Sequence, residues 1–227
     1  MGNFGRRVIY HLLKSRGIKI SQHKISKILK MSGFRSKYGR KKGKNVYSSR
    51  STQKYIAENI FRQNESELQG KEIWSMDFTE KVINGTKIYI CGIISVYSKI
   101  LIAKKYGYKI TSKLAIETLI KGIKRYGVPY MVMTDRGPQF VCKEFYDILQ
   151  QKGIIHSMSR PHSPVDNRFI ETFWKSMKIE IGKVNHLNVE QYLMIVEYYE
   201  YYYNYLRPHS SLGYLTPFNS RFNKIVI

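Results

Sequence analysis

Three carboxylates stand apart in a chain that is short of them. The formal net charge is +23, with 39 Lys+Arg against 16 Asp+Glu. Asp77 lies near the end of the apolar stretch "EIWSMDFT", Asp135 leaves the tip of "PYMVMT", and Glu171 sits inside "VDNRFIETFWKSMKIEIG". Three carboxylates converging in one low-dielectric cleft repel one another. A divalent cation relieves that repulsion, and an all-oxygen donor set suits Mg²⁺ or Mn²⁺. Each acid read alone has a plainer explanation, since a single Asp at a strand end is usually a cap or turn residue. Context lifts these three above that. "TDRGPQF" places Gly and Pro directly after Asp135, which gives the backbone room beside a substrate. "SPVDNRFIE" enters a helix through Pro164, with Asp166 expected to cap it and Glu171 turned inward. Glu180, Glu190 and Glu197 read as solvated helix acids.

Such a site needs a sheet whose strand ends bring distant residues together. "EIWSMDFT", "KIYICGIISVYS" and "KILIAKKYGY" read as three successive strands, with the turn "NGT" at 84–86 before the second. "TSKLAIETLIKGIKRYG" is an amphipathic helix stopped at Gly127, and "PYMVMT" is a fourth strand entered through Pro129. "CKEFYDILQQKG" is a helix, "IIHSMS" a fifth strand, and "VDNRFIETFWKSMKIEIG" and "VEQYLMIVEYYEYYYNYL" are long helices. Three hairpin strands followed by alternating helix and strand predict an α/β domain with a five-stranded mixed sheet. The first and fourth strands are then expected to be neighbours, with Asp77 and Asp135 projecting from their ends. A helix across that edge would bring Glu171 alongside.

The remaining charge is unevenly placed. Met1 to Ala57 carries 16 Lys+Arg and not one acid, whereas 58–227 is near +7. A pI near 9.9 points to a polyanionic partner, nucleic acid before anionic membrane. "RRVIYHLLKSRG" and "SQHKISKILKMSGF" each show helical spacing, and Ser21 is placed to cap the second. They predict a small all-α helix-turn-helix module over 1–35. A generic helical hairpin with solvated lysines stays open on this pattern alone. "RSKYGRKKGKNVYSSRSTQK" has no apolar period and reads as part of an extended basic linker over 36–70, suited to a phosphate backbone or simply solvated. The catalytic unit is placed at 71–183, and 184–227 as a helix and tail packed on it. No run of 18 apolar residues occurs. The two cysteines form no CxxC and predict neither a disulfide framework nor structural zinc. No signal-peptide pattern opens the chain, so a cytoplasmic, nucleoid-associated protein is expected.

These residues together resemble a known family. The 57 residues between Asp77 and Asp135, the 35 between Asp135 and Glu171, "TDRGPQF" and "DNRFIETFWKSMK" are similar to the DDE transposase and retroviral-integrase core, which has a ribonuclease-H-like fold. "WSMDFT", the closing "YNYLRPHSSLGYLTP" and the leading "FGRRVIYHLLKSRG" with "KISKILKMSGF" resemble the insertion-sequence-three transposases. The resemblance runs over about 4–217. The chain departs from it at His162, Val165 and Arg168, where the family often has Gly, Tyr and Ala, and at Ser95, where it has Asp. Family members usually carry more helix before "FGRR", so this chain is expected to be one frame of a two-frame element or a truncated copy.

The resemblance implies nicking of DNA at element ends and strand transfer by the freed 3′-OH. It implies two Mg²⁺ (or Mn²⁺) ions, with Asp77 bridging both and Asp135 and Glu171 each holding one. It marks Lys178, two helical turns after Glu171, as a DNA contact near the site. Gln139 and Asn167 flank the acids and are expected to position them or the DNA. Arg168, with Lys24 and Lys27 on the second helix and Arg40, Lys41 and Lys42 in the linker, are further candidates for DNA contact. The partners expected are double-stranded DNA, as element inverted repeats and target, and at least one further copy of the chain. The 19 tyrosines do not make a tyrosine recombinase, which needs Arg and His grouped around one Tyr. Tyr198, Tyr202 and Tyr205 are expected to pack on the core, and Arg207 and His209 to touch phosphate or brace it. Two rival readings are a catalytically silent DNA-binding protein derived from a transposase and a hydrolase that cuts RNA in hybrids.

Overall fold

A computed structural model describes residues 4–34, 55–160, 164–184 and 186–222. The basic stretch with Arg40, Lys41 and Lys42, and also His162, lie outside the described residues.

Two short helices open the chain, α1 (Arg6–Ser15) and α2 (Gln22–Met31). The Ser21 side chain accepts from the Lys24 N–H and so caps α2, satisfying one of the donors a helix start leaves over. Ile25 is the buried residue of the pair, and Arg6 reaches across to the Ser26 hydroxyl at 3.1 Å. The pair rests on the far end of the chain. The His11 ring stacks on Tyr214 with centroids 3.6 Å apart, and Phe4 stacks on Tyr202.

The main body is one sheet built from β1 (Ile73–Ile83), β2 (Thr86–Ser95), β3 (Leu101–Gly107), β4 (Met131–Thr134) and β5 (Ile155–Met158). Its order is β3-β2-β1-β4-β5, with β1–β3 antiparallel and β4 and β5 running parallel to β1. The mixed five-stranded sheet predicted from the pattern is present, and β1 lies beside β4. Period-two alternation sorts β1 between two layers. Trp74 and Met76 face α4 (Ser112–Tyr126) and α5 (Lys143–Gln151) in one core. Ile73 packs on the other side with Met131, Met133, Phe61 and Phe169. That second side is covered by α6 (Arg168–Ile181) and α7 (Val189–Tyr201), which bury Ile170, Phe173, Trp174, Met177, Tyr192, Val196 and Tyr199 over β2.

Four expectations are corrected. The stretch 55–70, read as the end of a linker, is built into the body. It holds α3 (Ile60–Gln63), lays Glu58 O against the Met158 N–H, and gives the Phe61 N–H to Ser157. Asp166 does not cap α6. A 3-10 turn, Pro164–Asn167, precedes that helix. The Asp166 carboxylate is buried in it and accepts from Asn59, Arg62, Arg160 and the Arg160 N–H, tying 55–64 to the foot of α6. Glu180 is not solvated, and Glu197, though exposed, is paired. Glu180 is buried and accepts from Arg207 at 2.9 Å and Tyr199 at 2.9 Å, while Glu197 pairs with Lys104 at 2.7 Å. Finally, the face expected for Tyr198, Tyr202 and Tyr205 is not the buried one in α7 and the π-helical turn, Tyr202–Leu206, that follows it. Tyr192, Tyr199, Tyr202 and Tyr203 are buried, whereas Tyr198 and Tyr205 are exposed. Arg207, held by Glu180 and donating toward His209, braces the end of this segment.

Candidate active site

The ladder between β1 and β4 pairs Ile73 with Met131 and Ser75 with Met133. Carried one further step on the same face, that register sets Asp77 beside Asp135, just beyond the last paired residues. Both side chains then leave the face on which α6 lies. The start of α6 is fixed to the sheet by a buried contact in which the Ser75 hydroxyl donates to Asn167 Oδ1 at 3.1 Å. Glu171 follows on the first turn of α6 and shares a cleft of about 410 Å³ with Asp77, Phe78, Thr79, Trp174, Lys175 and Lys178.

The three acids feel one another. Burial raises the Asp77 pKa to about 8, with further upward pressure from Asp135 and then Glu171. The Phe78 N–H and the Trp174 indole pull the other way and are outweighed. Burial likewise raises Asp135, against a hydrogen bond from the Gly137 N–H to its Oδ1 at 2.9 Å. Glu171 is raised by its burial and by Asp135. Asp77 and Asp135 are half-buried and Glu171 is exposed at the rim rather than turned inward, and carboxylates crowded in this way favour any partner that brings positive charge. Among the described residues, no group of three His, Cys, Asp or Glu side chains is closed up enough to hold a metal ion. The donor set therefore has the right chemistry and shares one edge of the sheet, but it has to draw in to enclose a cation.

Asp135 is held from below as well as beside. The Thr134 hydroxyl donates to the Asp135 carbonyl at 2.8 Å and stands 2.9 Å from the buried His156 Nε2. Thr134 has one proton, already committed, so His156 Nε2 supplies the hydrogen of the second bond. Burial lowers the His156 pKa to about 4, which keeps the ring neutral there. Gly137 lies under the Gln139 side chain. A Cβ at that position would fall 2.2 Å from Gln139 Nε2, which folds back over it.

The other predicted residues divide by position. Lys178 lines the cleft, where burial lowers its pKa while Asp77 and Glu80 pull it upward. Gln139 is half-buried over the Asp135 loop. Asn167 points inward, 6% exposed and bonded to Ser75, so it positions α6 rather than facing a nucleic acid. Arg168 is exposed but turned from the acids toward Glu65, at 3.0 Å. Lys24 and Lys27 are exposed on α2, away from the acids. Sequence reasoning passed over Lys175, Trp174 and Thr79. Spacing was the available signal, since Trp174 and Lys175 follow Glu171 by three and four on a helix, and Thr79 follows Asp77 by two on a strand.

Comparison with known proteins fits this geometry. Residues 68–164 match a family model described as an integrase core domain, and residues 152–217 match a second model of the same description. The transposase for insertion sequence element IS904 of Lactococcus lactis is 27% identical over 95% of this chain and 86% of its own length. The transposase InsF for insertion sequence IS3fB of Escherichia coli is 25% identical over 90% of this chain and 72% of its own. The HTLV-2 integrase catalytic core domain, solved in complex with magnesium, superposes with a TM-score of 0.52 at 19% identity. It covers 67% of this chain and 96% of that one, and the shared fold is ribonuclease-H-like.

Proposed function

We propose that this chain, an integrase-core protein homologous to the insertion-sequence-three transposases, is a DNA strand transferase that nicks element ends and joins the freed 3′-OH to target DNA. The observation that carries the reading is the parallel β1–β4 pairing, which ends two residues short of Asp77 and Asp135, together with the upward pressure that Asp135 and Glu171 put on Asp77.

Asp77, Asp135 and Glu171 are the residues to hold two divalent ions, Mg²⁺ or Mn²⁺, which supply a lowered pKa at the attacking oxygen and charge stabilisation at the leaving one. Asp77, the acid on which both Asp135 and Glu171 press, would help to hold both ions. The Gly137 N–H and the Thr134–His156 chain hold Asp135 so that one carboxylate oxygen is fixed and the other is free to turn to the cleft. Lys175 and Lys178, on the α6 face that carries Glu171, are placed to bind the phosphates flanking the reacting one. No protein nucleophile is required, because water and the DNA 3′-OH are the attacking groups in turn. The two-helix module with Lys24 and Lys27, and the basic stretch with Arg40, Lys41 and Lys42, are assigned to binding of the element end. We assign 1–35 to that module, 71–183 with the packed stretch 55–70 to the catalytic unit, and 184–227 to its C-terminal brace. Two ends have to be held together for transposition, so the working form is assigned as at least a dimer.

A Mg²⁺-dependent assay on element-end oligonucleotides tests this. Asp135→Asn is expected to remove nicking and joining by well over the roughly 100-fold that loss of an outer partner costs a metal site, with DNA binding unchanged. Undiminished joining by that variant overturns the assignment. Binding without joining by the wild type would instead leave the silent DNA-binding protein.

A further inference from the structure

The chain has two tryptophans, and their N–H groups are treated differently. The Trp74 Nε1–H donates to Glu72 Oε1 at 2.7 Å. Trp174, only 4% exposed, has an Nε1–H that is buried with no hydrogen-bond partner among the described residues. An indole nitrogen is a donor only, and a donor left unmet in the interior is costly. A phenylalanine would fill this layer without that cost, as the neighbouring Phe173 does. Trp174 therefore calls for an explanation in its N–H rather than in its ring.

Its position supplies one. Trp174 lines the cleft with Asp77 and Glu171. Its six-membered ring lies over Gly92, which is the β2 register partner of Asp77. A Cβ on Gly92 would fall 2.6 Å from Trp174 Cη2 and 2.7 Å from Cζ2, so only glycine lets the indole lie this close to the strand. The Trp174 N–H acts on the Asp77 carboxylate as a donor but falls short of hydrogen-bond geometry. Asp77 is the nearest reason for a donor here, and the cleft still has to draw in around a cation.

We propose that Trp174 is a positioning residue whose Nε1–H donates to the Asp77 carboxylate as the site closes on a divalent cation, holding one oxygen so that the other faces the metal. Gly92 is the vacancy that admits it. Outer-shell donors of this kind orient metal-binding carboxylates and strengthen the site. This inference rests on the metal-dependent reading above, and the experiment separates the two.

The full chain is labelled with ¹⁵N-tryptophan, which gives two indole resonances, and Trp174→Phe identifies which belongs to Trp174. Mg²⁺ is then titrated in. The Trp174 resonance is expected to move saturably while that of Trp74 stays, and neither is expected to move in Asp77→Asn. In parallel, calorimetry with Mn²⁺ is expected to show binding about tenfold weaker in Trp174→Phe, the lower end of the outer-shell range. Gly92→Ala, which pushes the ring away but keeps its N–H, is expected to weaken binding in the same direction. Mn²⁺ binding that depends on Asp77, with an unmoved Trp174 resonance and unchanged affinity in Trp174→Phe, overturns the role given to Trp174 and leaves the metal reading standing. Absence of cation binding in the wild type overturns the metal reading, and the inference falls with it. If Trp174→Phe does not fold, the resonance comparison between wild type and Asp77→Asn decides alone.

Discussion

Asp77 carries the strongest electrostatic signature of the three acids. Its pKa is raised from an ordinary 3.8 to about 8, first by burial and then by Asp135 and Glu171. A raised native pKa means the folded chain holds that proton more tightly than the unfolded chain. The metal-free protein therefore loses stability as pH rises from about 4 to about 8, and the loss is complete above the folded value. Denaturant midpoints measured across pH 4–9 without divalent ions are expected to fall over that window, and Asp77→Asn is expected to flatten the fall. Cation binding should strengthen over the same window, because ligation needs the deprotonated acid. The three acids were legible in the sequence because each is an acid in an apolar setting next to a turn or helix start. The unmet N–H of Trp174 was not, because a sequence gives a donor's presence but not what lies within its reach. For Asn167 the choice between positioning and DNA contact was open for a related reason. A polar residue beside an acid looks outward until Ser75 is seen beneath it.

At the scale of elements, α7 is held on the sheet by a charge that has no exposure to spare. Lys104, 3% exposed on β3, reaches Glu197 and Glu200 at 2.7 Å each, and Arg125 of α4 reaches Glu200 at 2.7 Å. Burial acts to raise the Glu200 pKa, but Lys104 and Arg125 outweigh it and the net shift is downward. Removing one partner of a buried set leaves a charge without compensation, which costs about 3–5 kcal/mol. Lys104→Ala is therefore expected to destabilise the fold toward the lower part of that range, since Glu197 can turn to solvent. Lys104→Met with Glu200→Gln is expected to recover much of the loss in chemical denaturation. Strands and helices were readable from period and length, including the neighbouring places of β1 and β4. The tyrosine face was not, because Tyr192, Val196, Tyr199 and Tyr203 and the expected Tyr198, Tyr202 and Tyr205 both follow helical spacing, and with tyrosines on both sides the pattern does not say which one is buried. Nor was the binding of 55–64 to the foot of α6, which depends on Asp166 meeting Asn59 and Arg62 from more than 100 residues away.

For the molecule as a whole, charge and architecture are segregated. The acid-free stretch to Ala57 lies ahead of a sheet body whose surplus is much smaller. Lys24 and Lys27 are exposed on α2. If they meet phosphates, each contributes to counterion release on binding. Lys24→Ala with Lys27→Ala is expected to weaken DNA binding about equally for element-end and unrelated duplexes. It is also expected to reduce the slope of log affinity against log salt by about one per lysine, measured by fluorescence anisotropy across a salt series. The stack of His11 on Tyr214 couples this leading module to a residue near the other end of the chain. A decaying genomic copy whose frame breaks shortly before codon 214 would keep all three acids yet lose the seat of its first helix. One late lesion would thus damage recognition and leave the chemistry encoded, a pattern that surveys of defunct copies can look for.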